Sequence, residues 1–155
     1  MSNGLMLDTQ VFDRLVDGLL NDDKLVGYKL VVTHIQRDEL NRAPHSRRTL
    51  LITEMDAHHA DSVPTASSIW DDTSWDEGQF SADDHIYERM LSRLQELDPK
   101  SKKLENQSRD IRIAETALKL RLTLVSDDER LRKVIIEFGG RALSTADLQA
   151  LQLQR

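Results

Sequence analysis

Apolar residues near the start of the chain follow two different spacings, one typical of strands and one typical of a helix. The consecutive apolar residues 5–7 predict a short buried strand. Apolar side chains then recur at three- and four-residue steps from Val11 to Leu20, which predicts an amphipathic helix. The β-branched segment 28–33 predicts a second strand. A strand, a helix and a strand of these lengths form a βαβ unit, so the pattern predicts a parallel pair of strands.

The middle of the chain is less regular. Residues 34–40 are polar and predicted to be helical, whereas the apolar segment 50–52 is too short to assign. Residues 56–79 are polar and contain Trp70 and Trp75, and they predict a long irregular insertion. Loops of this length are uncommon in compact domains unless they are functional or disordered.

The second half of the chain returns to alternating helical and strand patterns. Ser108 is a candidate N-cap, and Gly139 with Gly140 is expected to close a helix that ends near Phe138. The tail from Asp147 to Arg155 is expected either to dock or to fray. The predicted elements are helices over 83–97, 108–120 and up to 138, a strand over 122–125 and an edge strand over 141–144. Together they predict an α/β fold.

The composition indicates one compact domain over residues 1–155. The length of 155 residues is enough to bury a core. The absence of cysteine excludes disulfides and thiolate metal sites. No apolar run approaches the roughly 20 residues of a membrane helix, and no signal peptide pattern opens the chain, so we expect a cytoplasmic protein without membrane association. The net charge of −6 argues against tight nonspecific DNA binding.

Acidic residues recur near the predicted strand ends and are the main candidates for chemistry. They are Asp8, Glu39, Asp110 and the neighbours Asp127 and Asp128. In open α/β sheets, ligands bind outside the carboxyl ends of the strands, so these acids are expected to converge. Several carboxylates without a balancing base suit Mg²⁺ or Mn²⁺.

Each of these acids also has a structural interpretation. Asp8 is a suitable N-cap for the first helix, and Asp127 or Asp128 for a later one. Glu39 would ordinarily lie on a solvated helix face, and Asp110 would complement the dipole in the first turn of its helix. Clustering four like charges is destabilising without a cation, so their combination favours a metal site.

The segments around these acids resemble the PIN-domain family of metal-dependent ribonucleases, which includes toxins of the VapC type. The resemblance follows the order of four motifs along nearly the whole chain. These are Met-Leu-Asp-Thr-Gln-Val-Phe at 6–12, Val-Thr-His-Ile-Gln-Arg-Asp-Glu-Leu at 32–40, Asp-Ile-Arg-Ile-Ala-Glu-Thr-Ala at 110–117, and Leu-Val-Ser-Asp-Asp-Glu-Arg-Leu at 124–131.

The resemblance implies a fold, an activity and a set of site residues. The fold is a three-layer α/β/α sandwich with a central, mostly parallel sheet. The activity is endoribonucleolytic hydrolysis of RNA phosphodiester bonds, supported by Mg²⁺ or Mn²⁺. The implied catalytic and metal-binding residues are Asp8, Glu39, Asp110 and Asp128, with Asp127 as the alternative to Asp128, and the hydroxyls of Thr9 and Ser126 support them. A toxin of this kind is expected to pair with a small antitoxin and to form a homodimer.

Two features depart from the family pattern. Gln10 stands where the family often has asparagine, and it is one methylene longer. The insertion at 56–79 is longer than a minimal toxin of this class needs, a departure that counts against the toxin subgroup but not against the wider fold.

Arginines close to the acids are candidates for holding RNA phosphates. They are Arg42, Arg47, Arg48, Arg109 and Arg112. Ordinary surface roles for these arginines are the alternative.

The other aromatic and basic residues carry weaker signals. Trp70 and Trp75 are candidates for stacking on RNA bases. The alternative is that their side chains anchor the insertion by packing. The five histidines, His58 among them, are expected at the surface without a metal-ligand spacing.

Two other functions remain open from the sequence. One is a non-catalytic PIN-like binding or regulatory module, in which the acids serve as caps. The other is a structure-specific DNA nuclease.

Overall fold

The computed structural model describes residues 4–58, 61–63, 85–99 and 104–151. The strands are β1 (Gly4–Leu7), β2 (Lys29–Thr33), β3 (Asp61–Val63), β4 (Thr123–Val125) and β5 (Arg141–Leu143). The helices are α1 (Thr9–Val16), α2 (His34–Asn41), α3 (His45–Ala57), α4 (Ile86–Leu97), α5 (Leu104–Lys119), α6 (Glu129–Glu137) and α7 (Thr145–Ala150), with a 3-10 turn at Asp22–Leu25. In these parts of the chain no helix is long and apolar enough to cross a membrane.

The five strands form one parallel sheet in the order β3-β2-β1-β4-β5. The chain therefore builds outward from β1 in one direction and then returns to add β4 and β5 on the other side. Leu5 in β1 is level with Leu30 in β2 and with Thr123 in β4. The order reverses between β1 and β4, and this is the position at which doubly wound sheets open a crevice for ligands.

Alternate residues of the strands serve two separate hydrophobic cores. Met6, Val31 and Leu124 point to one face, where they join buried residues of α4, α5 and α6. Leu5 and Val32 point to the other face, which α1, α3 and α7 cover. This alternation is the period of two expected for strands covered on both faces. The predicted α/β/α sandwich with a parallel central sheet is therefore confirmed.

Some element boundaries differ from the prediction. α1 ends at Val16 rather than near residue 20, because Gly18 adopts φ 76° and turns the chain. α5 begins at Leu104, so Ser108 lies inside the helix instead of capping it, and Asp110 is in the second turn rather than the first.

The segment 50–52, which the sequence left unassigned, belongs to α3. Of the predicted irregular insertion at 56–79, the first two residues continue α3 and residues 61–63 form β3. The remainder, with Trp70 and Trp75, lies outside the described residues. The tail docks through α7, where Leu148 is buried, and residues 152–155 lie outside the described residues.

Candidate functional site

The candidate site lies at the carboxyl edge of the sheet, where β1 and β4 are neighbours. Asp8 directly follows β1, and its backbone N–H donates to the Val125 carbonyl of β4 at 2.9 Å. Ser126, Asp127 and Asp128 directly follow β4. Residues that are far apart in sequence therefore meet at the position where the strand order reverses.

Asp8 is buried and accepts three hydrogen bonds. Its Oδ1 accepts from the Thr9 backbone N–H at 2.8 Å, so Asp8 does cap α1. Its Oδ2 accepts from Ser126 Oγ at 2.7 Å and from Gln10 Nε2 at 3.2 Å. Burial raises the pKa of Asp8 to about 6, although the hydrogen bonds from Ser126 and Thr9 oppose this rise. The cap and the candidate site role are thus combined in one side chain.

Glu39 is half-buried on α2 and is held by a hydroxyl. Thr9 Oγ1 donates to Glu39 Oε1 at 2.8 Å. α2 itself is fixed by the buried Gln36, whose Nε2 donates to the Leu7 carbonyl at 2.9 Å and whose Oε1 accepts from the backbone N–H of Thr33 at 2.9 Å. The sequence reasoning missed Gln36, because a glutamine on a polar helix gives no signal that it is buried.

Asp110 is half-buried on α5 and has a strongly raised pKa. Burial raises the pKa to about 8, and the negative charges of Asp8, Asp128 and Glu39 contribute further, against a lowering by Arg109. Mutual repulsion of this kind requires the four acids to lie near one another in a partly dehydrated region.

Asp127 and Asp128 point to different surroundings. Asp127 accepts from Arg14 Nε at 2.9 Å and from Thr145 Oγ1 at 2.7 Å. Burial alone would raise the pKa of Asp127, but the hydrogen bonds from Thr145 and Arg14 outweigh it and lower the pKa. Asp128 caps α6 through Oδ1, its N–H donates to Ser126 Oγ at 3.1 Å, and its charge raises the pKa of Asp8. Asp128 is therefore the member of the pair that faces the other acids.

Gln10 links the two sides of the site. Its Nε2 donates to Asp8, and its Oε1 accepts from the Asp127 backbone N–H at 3.2 Å. The side chain of Gln10, which is one methylene longer than that of asparagine, thus reaches from the end of β1 to the loop after β4.

The donor set suits a hard divalent cation, since it consists of carboxylate oxygens whose charges repel one another. Among the described residues, however, the group of three side chains whose ligand atoms all lie within 4.8 Å of one another is Asp22, Glu54 and His58, not the predicted acids. The four acids are spread more widely than one bare coordination sphere. Such spacing fits Mg²⁺, which usually keeps several waters and binds one or two carboxylates directly.

A cleft of about 300 Å³ lies beside Glu39, between α2 and α5. Three of the predicted RNA-binding residues line it, namely Arg42, Arg109 and Arg112. Arg112 is exposed and its guanidinium lies 5.7 Å from the centre of the Tyr87 ring. The cleft therefore places three arginines and an aromatic neighbour beside the acidic edge, with Arg109 paired to Glu105 at 2.8 Å.

The other two predicted RNA-binding arginines lie elsewhere. Arg47 donates to Asp13 at 2.8 Å and to Asp17 at 2.9 Å, and so joins α3 to α1. Arg48 donates to the Asn41 carbonyl at 3.1 Å. Neither residue lines the cleft beside Glu39.

The group of Asp22, Glu54 and His58 was also missed from the sequence. Glu54 and His58 are four residues apart, which places them on one face of a helix. The four-residue spacing of Glu54 and His58 would have indicated this group only if a helix had been predicted as far as residue 57.

The chain has a distant structural likeness to a solved protein but no match by sequence. No protein-family model matches the chain, and no curated protein matches it. Among solved structures, the chain is similar to VapBC-5 from Mycobacterium tuberculosis, described as a member of the VapBC family of toxin-antitoxin systems. The identity is 17%, the match covers 92% of this chain and 97% of that chain, and the TM-score is 0.47. A likeness this distant does not establish the family or the activity of this chain.

Proposed function

We propose that this chain is a single-domain, divalent-metal-dependent ribonuclease that hydrolyses RNA phosphodiester bonds. The observation that carries the proposal is a set of hydrogen bonds at the point where the strand order reverses: Ser126 Oγ donates to Asp8 and accepts from the Asp128 N–H, and Thr9 Oγ1 donates to Glu39. Burial and the charges of these three acids also raise the pKa of Asp110 to about 8. Clustered carboxylates repel one another and do not stabilise the fold. A bound cation that offsets this repulsion would explain why the four acids lie together.

The four carboxylates are proposed to hold the metal, one or two of them directly and the others through its bound waters, and the neighbouring hydroxyls orient two of them. A bound Mg²⁺ or Mn²⁺ would lower the pKa of water at the site and offset charge that develops on the phosphate. Ser126 Oγ holds Oδ2 of Asp8, and Thr9 Oγ1 holds Oε1 of Glu39. These bonds fix the direction of the carboxylate lone pairs before any ligand arrives.

RNA would be held in the cleft beside Glu39. Arg42, Arg109 and Arg112 are suited to phosphate contacts, which position a strand without reading its sequence. Tyr87 lies under Arg112 and its hydroxyl contacts Ser108 Oγ at 2.5 Å, so the arginine is already partly oriented.

Cleavage of a fluorogenic single-stranded RNA in Mn²⁺, with and without EDTA, tests the proposal. We expect cleavage that EDTA abolishes, and a decrease of at least about 100-fold in Asp8→Asn, since even changes to partners of metal ligands cost 10- to 100-fold. Asp56→Asn is the matched control, because Asp56 is an exposed aspartate on α3. Its activity should equal that of the wild type.

Two results would contradict the proposal. Full activity in Asp8→Asn would show that the acidic site does not perform the cleavage, and the absence of any metal-dependent cleavage would favour a binding module. Branched DNA serves as the second substrate. Cleavage of that DNA alone would assign the site to a structure-specific DNA nuclease.

We further propose that the protein is the toxin of a toxin-antitoxin pair and forms a homodimer. This rests on the sequence resemblance to VapC-type toxins. Growth arrest on expression, relieved by a co-expressed small partner protein, is the expected result. Analytical ultracentrifugation of the isolated chain measures its molecular mass in solution, which should be twice that of one chain if it forms a homodimer.

A further inference from the structure

A second group of potential metal ligands lies at the opposite edge of the sheet from the acidic site. Asp22 belongs to the 3-10 turn that precedes β2, and His58 follows α3 just before β3. Both residues therefore come before strands that run in parallel, whereas Asp8 and Asp128 come after strands. Glu54 lies one turn before His58 on α3. The group is thus separate from the acidic residues of the proposed nuclease site.

The two distances from His58 to the carboxylates of this group are close to the edge length of a metal coordination tetrahedron. His58 Nε2 lies 3.4 Å from Asp22 Oδ1 and 3.2 Å from Glu54 Oε1. For bonds of 2.0–2.1 Å from a zinc ion, the edge of a tetrahedron is about 3.3 Å. An octahedron around Mg²⁺, with bonds of similar length, has edges of about 3.0 Å. Both distances from His58 are therefore close to a tetrahedral edge, and all three ligand atoms lie within 4.8 Å of one another.

The chemistry of the ligands selects the class of cation. One imidazole nitrogen and two carboxylate oxygens form a mixed set that suits Zn²⁺ and related transition metals, whereas Mg²⁺ and Ca²⁺ prefer oxygen alone. The side chains of His58 and Glu54 are 16% and 22% exposed, and that of Asp22 is 62% exposed. Glu54 on α3 and His58 at its C-cap are therefore the more buried ligands, and Asp22 is the ligand on the solvent side.

The carboxyl groups in this cluster are crowded against each other. One carboxylate oxygen of Asp22, one of Glu54 and a ring nitrogen of His58 all lie within 4.8 Å of one another. A divalent cation would offset this repulsion more fully than a single imidazolium charge.

We propose that Asp22, Glu54 and His58 bind one Zn²⁺-class cation, with a solvent molecule in the fourth tetrahedral position. The bound ion joins the 3-10 turn to the end of α3, two segments that are 32 residues apart between Asp22 and Glu54. Binding to the folded state alone stabilises it, so the ion acts as a reversible clamp on this edge of the domain.

Binding of Zn²⁺ and Co²⁺ to the full-length chain tests this proposal. We expect one tight Zn²⁺ site in isothermal titration with Mg²⁺ in excess, and an intense visible spectrum with Co²⁺, which is typical of a tetrahedral site. His58→Ala should weaken Zn²⁺ binding at least about 100-fold and abolish the spectrum. Glu54→Gln, which keeps the shape of the side chain, should weaken binding without unfolding the protein.

His45→Ala is the matched control, since His45 is an exposed histidine at the other end of the same helix. Its Zn²⁺ affinity should equal that of the wild type. At a 100-fold excess over Kd, Zn²⁺ should raise the Tm of wild type and His45→Ala by roughly 5 °C or more, and that of His58→Ala not at all.

Asp110→Asn separates this site from the acidic one. The proposal requires that this variant keeps the Co²⁺ spectrum even if the ribonuclease activity is lost or was never present. A wild type without a tetrahedral spectrum, or a His58→Ala variant that binds Zn²⁺ as tightly as the wild type, would overturn the proposal.

Discussion

Replacement of Asp110 by asparagine should stabilise the protein in alkaline, metal-free buffer. Burial, with the charges of neighbouring acids, raises the pKa of Asp110 from 3.8 to about 8 in the folded state. The carboxylate form is therefore unfavourable in the folded protein relative to the unfolded chain. Asparagine has a similar shape and carries no charge, so Asp110→Asn removes this unfavourable term.

The pH range follows from the two pKa values of Asp110. Below pH 3.8 the carboxyl is protonated in both states, and the penalty is absent. As pH rises, the unfolded chain releases its proton while the folded protein retains it, so stability falls until pH reaches about 8. The slope is about 1.4 kcal/mol per pH unit, which gives a loss of up to about 4 kcal/mol between pH 5 and pH 8.

Urea denaturation in EDTA at pH 5 and pH 8 measures this effect. We expect Asp110→Asn to be more stable than the wild type at pH 8, and the difference to shrink by several kcal/mol at pH 5. A variant that is less stable at pH 8, or that keeps the pH slope of the wild type, would refute the electrostatic reasoning.

Asp127→Asn is the control with the opposite sign. Hydrogen bonds from Thr145 and Arg14 lower the pKa of Asp127 in spite of its burial, so its charged form is the favoured one in the folded state. The stability that Asp127 contributes is present above its unfolded pKa and is lost as pH falls through the folded pKa. Asp127→Asn should therefore be less stable than the wild type at pH 8.

Three further substitutions test other parts of the structure. Ser126→Ala removes the hydroxyl that donates to Asp8, so we expect metal-dependent RNA cleavage to fall about 10- to 100-fold without a change in circular dichroism; unchanged cleavage would mean that this bond does not orient the carboxylate. Arg47→Met removes the ion pairs between α3 and α1, so the urea midpoint should fall, and by less as salt is added; a salt-independent decrease would point to lost packing instead. Gly140→Ala places a Cβ 2.7 Å from Ile135 Cγ1, which should cost about 1–3 kcal/mol in urea unfolding; a neutral effect would show that Ile135 moves freely.

The sheet and its main helices could be predicted because their residues carry strong local periodicity. β1, α1 and β2 each place apolar residues on a defined face, and that signal requires no knowledge of distant parts of the chain. The start of α5 was missed because its first three residues are exposed, with Leu104 59% accessible, and the buried residue that follows, Gln107, is polar. α3 was missed for a similar reason, since Leu50 faces solvent while Leu51 and Met55 are buried.

The candidate site was less predictable than the fold because its pairings join distant parts of the chain. Sequence motifs brought Asp8 and Asp128 into one hypothesis, but they gave no sign that Asp127 would turn toward Arg14 and Thr145. Likewise, Arg47 was near the acids in sequence, yet its partners are Asp13 on α1 and Asp17 at the C-cap of that helix. Contacts of this kind depend on tertiary packing, which the spacing of residues along the sequence does not predict.

The hydrogen bond from Ser126 to Asp8 joins residues that are 118 positions apart. While the chain is being synthesised, β1, β2 and β3 can leave the ribosome long before β4 exists, because β4 begins at Thr123. During that time Asp8 has neither its serine partner nor its acidic neighbour Asp128. The acidic site is thus among the last features of the molecule to be completed, and a nascent chain shorter than about 123 residues carries only part of it.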